Sequence, residues 1–260
     1  MGMTLVVVLA LVLSQQPETL SLLGEPLFSP SLSKADKAKA HADLATARAV
    51  YDRQPSQPEA ILGLEQALRA LGQIGDALEL LTHGLEANPD EPRLLLERGR
   101  NYITIRKFDV ASRDLSKAAA TLPAAQCALG LAQYLSADYT RATETFGKCS
   151  DPGVFGYLTT RRAGGSDAAR PVPTGPPPTP ATTIRLPGSV SSAASEAPKP
   201  IAASYMEAVE RLLGGNEDDA RERMKKIVEK NRRDWMEPAY IAAEVDYARL
   251  KKTEKRKGKR

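Results

Sequence analysis

The sequence predicts an all-α protein: helix–turn–helix hairpins stacked side by side into an α–α superhelix. Three observations predict it. Aromatic residues make up only 5% of the 260 against an apolar share of 42%, so the core must come from Ala, Leu, Val and Ile, a composition that favours helices. The stretch `RGRNYITIRKFDVASRDLSKA`, residues 98–118, reads as two short amphipathic helices with small residues, Gly99 and Ala111, on bulky faces. The pattern also recurs. Aligning 58–91 with 92–125 puts Glu65 on Gly99, Leu68 on Tyr102, Ala77 on Ala111, Leu81 on Leu115 and Pro89 on Pro123, a period of 34. A third copy carries Gly130, Ala142, Phe146 and Cys149 in the same roles, its spacing shortened to 31 between Ala111 and Ala142. Self-similarity at such a period marks a repeat array.

The segments follow in order. Residues 5–13 are an apolar run, far short of the ~20 needed to span a bilayer, with Val12 and Ser14 small enough for cleavage before Gln15. Residues 1–14 are therefore expected to be a signal peptide, although neither Lys nor Arg precedes the run. Residues 15–33, rich in Pro and Ser, read as an unstructured lead-in. The repeat array is placed at 34–162. It opens with a helix whose Leu44, Ala47, Val50 and Tyr51 share a face, and Pro55 and Pro58 end it. Residues 151–169 begin another first helix, with Val154, Phe155 and Leu158 as its stripe, but `RPVPTGPPPTP` truncates that repeat. Residues 163–200 are too poor in apolar side chains to offset their ordering entropy and are expected to be a disordered linker. Residues 201–250 hold a further helical pair around `LLGGNEDDA` and a capping helix with Ile241, Ala242, Val245 and Ala248 on one side. A flexible linker of this length reaches ~35 Å, enough for the pair to dock on the truncated repeat and cover Phe155 and Leu158.

The net charge is +4, but `KKTEKRKGKR` at 251–260 holds seven Lys/Arg and one Glu, so the remainder is at −2. The tail is expected to be a solvated, disordered end. The other reading is attraction to an anionic membrane, nucleic acid or an acidic partner. No aromatic residue is interleaved for base stacking.

Chemistry-bearing motifs are missing. His41 and His83 each lack a Cys, Asp or Glu at ligand spacing. `RAGGSD` lacks the Lys-Ser/Thr of a phosphate loop, and no Ser sits in a nucleophile elbow. Glu217, Asp218 and Asp219 open a helix, where they complement its dipole. Neither an enzyme, a cofactor, a metal nor a small-molecule substrate is expected. Cys127 and Cys149 can pair in an exported protein, or stay as two small buried hydrophobes in a reducing cytosol. They lie on the two helices of one hairpin, about one turn out of register by the alignment.

These repeats, carried by `RGRNYITIRKFDVASRDLSKAAATLP` and `LGLAQYLSADYTRATETF`, resemble the tetratricopeptide repeat family across 58–148, with weaker copies on both sides. The resemblance implies a concave groove lined by the first helix of each unit, holding a protein or peptide. Carried over position by position, the groove is Glu59, Leu62, Gln66, Arg69 and Ala70; then Arg93, Leu96, Arg100, Ile103 and Thr104; then Ala124, Cys127, Leu131, Tyr134 and Leu135. Arg69, Arg93 and Arg100 are the groups to hold a carboxylate. The third set is apolar and is open to coverage by the chain's own linker or C-terminal pair. The Lys/Asn combination with which some members clamp a C-terminal carboxylate is absent. The expected function is a non-catalytic interaction scaffold, periplasmic or secreted. A cytosolic adaptor whose tail binds nucleic acid or acidic partners, and a structural cell-envelope component, are the alternatives.

Overall fold

A computed structural model describes residues 16–164 and 201–257. The expected signal peptide, nearly all of the expected linker and the last three residues lie outside them. Helix α1 (Lys34–Tyr51) leads into three hairpins, α2–α3 (Pro58–Ala70, Ile74–Ala87), α4–α5 (Pro92–Thr104, Phe108–Ala119) and α6–α7 (Ala125–Leu135, Tyr139–Phe146). Helix α8 (Gly153–Ala163) follows, then α9 (Ile201–Leu213), α10 (Glu217–Lys230) and α11 (Pro238–Lys257). Each helix of the array packs on its sequence neighbour, the nearest-neighbour stacking of a solenoid. Most of α1 is exposed. Leu44, Ala47 and Tyr51 lean on the core, whereas Val50 is exposed.

The turns inside the hairpins explain the period. Each has one residue in the left-handed region: Gly72 (φ 74°), Arg106 (φ 65°), Ala137 (φ 64°) and, in the C-terminal pair, Gly215 (φ 81°). The first three are spaced 34 and then 31 apart, as the sequence spacing requires. Glycine enters this region at little cost and other residues do not, so Arg106 needs a reason.

The small residues do not meet each other. A Cβ on Gly99 would fall 2.5 Å from Cγ of Leu115, and one on Gly130 would fall 2.8 Å from the Phe146 ring. The first helix is thus hollowed to receive a large side chain of the second. In the first repeat the hollow is taken by Glu65, only 2% exposed.

Three expectations are corrected. The lead-in is folded: Thr19–Leu20 pairs antiparallel with Pro26–Leu27. Glu18 ties this hairpin to the array, accepting Ser29 Oγ at 2.8 Å and the Ile74 and Gly75 amides of the first turn of α3 at 3.0 and 3.3 Å. A carboxylate there satisfies open helix donors and suits the dipole. Second, the first half of α11 is not apolar on one side only. Every residue from 238 to 246 is buried, the mark of a helix enclosed on all sides, and it contacts α6, α9 and α10. Third, the basic tail is helical as far as Lys257.

The C-terminal pair docks on the truncated repeat as expected. Phe155 and Leu158 are fully buried, with Tyr205 of α9 6.3 Å from the Phe155 ring and Arg161 paired to Glu210 at 2.7 Å.

Candidate protein-interaction site

The structure splits the groove set. Glu59, Gln66, Ala70, Arg93 and Ala124 are exposed, and Leu62, Arg100 and Cys127 are half-buried. Leu96, Ile103, Thr104, Leu131, Tyr134 and Leu135 are buried, as is Arg69. The open part therefore lies on α2 and α4. There Arg93 joins the repeats by donating to Glu59 at 2.9 Å and to Glu91 at 2.7 Å. Arg100 pairs with Glu97 at 2.7 Å. Arg100 Nε and Glu97 Oε2 have no protein partner among the described residues.

Arg69 was expected to meet a partner's carboxylate. It instead lies between repeats, 1% exposed, with Nε 3.5 Å from Glu65 Oε1. Its Nη1 donates to Asn101 Oδ1, and Asn101 Nδ2 donates to Glu65 at 2.7 Å. Burial pushes the Glu65 carboxyl up to about 7 against the pull of Arg69, and the nearby Glu97 carboxylate adds to the rise. The same burial lowers the Arg69 pKa. Buried charges persist only when paired and hydrogen-bonded, and this cluster meets that condition across two repeats.

The third repeat's apolar face is covered by the C-terminal unit. Tyr134 Oη is 2.8 Å from Tyr205 Oη, which donates to Asp246 Oδ2 at 2.7 Å. Arg162 of α8 completes the cluster by pairing with Asp246 and stacking over the rings of Tyr134 and Tyr139 at 5.2 and 5.1 Å. Burial opposes the charge on Arg162, but the phenol oxygens of Tyr205 and Tyr134 and the Asp246 carboxylate outweigh it, so its pKa is raised. Arg249 of α11 donates to the Leu135 carbonyl at 2.5 Å.

A second knot explains Arg106. Its Nη2 donates to Glu244 Oε2 at 2.7 Å and to the Trp235 carbonyl at 3.0 Å, and its guanidinium lies 5.4 Å from the Trp235 ring. Glu244 also accepts the Leu22 amide at 2.5 Å, and Trp235 Nε1 donates to the Phe28 carbonyl at 2.8 Å. A left-handed turn aims the guanidinium inward. Strain persists where surroundings over-determine it, and here it joins hairpin, array and C-terminal unit.

Cys127, in the first turn of α6, and Cys149, just past α7, are joined as a disulfide with Cα atoms 5.0 Å apart. The start of one antiparallel helix meets the end of the other, so the expected register offset is absent.

Sequence reading missed Glu65, Arg106, Arg162, Trp235, Glu244 and Asp246. Two signals were present: Arg stands where the first repeat has Gly72, and two acids interrupt the apolar run `YIAAEVDYA`.

Stacked helical hairpins with a polar, partly open first-helix face are the architecture of a helical repeat solenoid. The profile of the tetratricopeptide repeat family matches residues 58–101, the α2–α3 hairpin and most of α4. No curated protein matches it. Among the described residues, no helix is long and apolar enough to cross a membrane.

Proposed function

We propose that the chain is a non-catalytic, exported interaction scaffold that holds a protein or peptide against α2 and α4. The observation that carries this reading is the split of the groove. The chain covers its own third repeat and leaves Glu59, Leu62, Gln66, Arg93 and Arg100 at the surface of the first two. The Arg93 pairs are solvent-exposed and worth little, so a partner's carboxylate can replace them. Pull-down from the native source tests it. Arg93→Glu/Arg100→Glu is expected to lose the partner, and unchanged recovery moves binding elsewhere.

Export is supported by the apolar run at 5–13 and by the disulfide, since such bonds persist in oxidising compartments. Mass spectrometry of the purified protein is expected to find Gln15 at the N-terminus. An intact Met1 or Gly2 with free thiols at Cys127 and Cys149 would sink export.

A further inference from the structure

A cleft of about 500 Å³ opens between α11, the α4–α5 turn and the tip of the N-terminal hairpin. It lies apart from the α2–α4 groove. Its apolar lining comes from Leu22, Phe108, Val110, Leu135 and Val245, of which Leu135 and Val245 are buried and Leu22 is 43% exposed. Lys107, Arg249 and Lys252 also line it, against one acid, Asp109. Lys107 and Lys252 are exposed, and neither has a carboxylate within ion-pair distance among the described residues. The acid next along α11, Glu254, is turned away to Arg221 at 3.1 Å. The first turn of α5 adds partial positive charge, and Lys107 at its N-cap position provides no side-chain acceptor.

We propose that this cleft docks an acidic polypeptide segment bearing one apolar anchor. The anchor fills the hollow between Leu22, Val110 and Val245, and flanking carboxylates meet Lys107 and Lys252. Charge complementarity selects an anion. The concave apolar hollow selects a chain that can insert a side chain, where a flat headgroup layer or a phosphate backbone would meet only the rim.

The test is fluorescence anisotropy on the full chain with a short labelled peptide of Asp and Glu carrying one central Leu. Binding is expected to weaken with added salt, and to weaken about tenfold in Lys107→Glu/Lys252→Glu, two close charge pairs being reversed. A negative side chain at the start of α5 suits the helix dipole, and far-UV circular dichroism checks that the variant is folded. Exchanging the peptide's Leu for Ser, or Leu22→Asp in the protein, is expected to weaken binding similarly. Arg93→Glu, in the groove, is expected to leave it unchanged, which separates this site from the proposed scaffold function. The proposal is overturned if the double variant binds as before, if the Leu is dispensable, or if Arg93→Glu abolishes binding. It is equally overturned if phosphatidylglycerol vesicles or duplex DNA are retained through Lys107 and Lys252 while the peptide is not.

Discussion

Arg106 and Glu244 stand 138 positions apart and form a buried ion pair, 3% and 0% exposed, at 2.7 Å. Arg106 accepts a left-handed backbone to reach it. Truncating one partner leaves the other charge buried alone, which costs about 3–5 kcal/mol. Arg106→Ala or Glu244→Ala is therefore expected to lower unfolding free energy by that amount in urea titrations. The double variant is expected to cost far less than the two losses combined, because neither charge is then stranded.

The disulfide closes a loop over a sequence separation of 22 residues. Constraint of the unfolded chain predicts about 3 kcal/mol for a loop of that size. Cys127→Ser/Cys149→Ser is expected to lose it, and urea unfolding of the native protein is expected to shift by the same amount on adding reductant.

Two glycines in first helices should respond in opposite ways. At Gly99 an added Cβ meets Leu115 at 2.5 Å, whereas at Gly63 it meets nothing within 4 Å. Gly99→Ala is expected to destabilise by about 1–3 kcal/mol, the cost of overpacking, and to cost less than that when introduced into a Leu115→Ala background. Gly63→Ala is expected to stabilise by about 1 kcal/mol through helix propensity. Thermal unfolding followed at the helix band measures both.

Glu65 makes stability depend on pH. Its carboxyl is raised from 4.5 to about 7 in the folded state, so the native protein binds the extra proton. That contribution is fully present below about pH 4.5 and is lost as pH rises through about 7. Subtracting the profile of Glu65→Gln from that of the native protein is expected to leave a fall across this window. A flat difference would mean that Glu65 titrates at its ordinary value.

The array was legible because small residues, large residues and turns recur at fixed offsets, and helical stacking needs only those. Even the shortened third repeat could be placed, since Gly130 still meets Phe146. The N-terminal hairpin was not legible. Strands of two residues have no period, and what holds them, Glu18 on α3 and Phe28 on Trp235, is contact between distant segments. For the same reason α11 passed for an amphipathic cap. Its acids look like a wet face until Arg106 and Arg162 arrive from the array. The groove positions followed the family's pattern, and the pattern carries no information on which of them the chain covers itself.

Linear arrays melt from their ends, because a terminal repeat touches one neighbour. Here the Arg106 knot gathers Leu22, Trp235 and Glu244 from nearly opposite ends of the described chain. The ladder is buckled into a ring. Loosening of the elements that the knot joins is therefore expected to be all-or-none, with protection of exchangeable amides in α4 and α11 lost together. The buckle also cannot close until Glu244 has been made, so during synthesis the repeats stack first and the ring locks last.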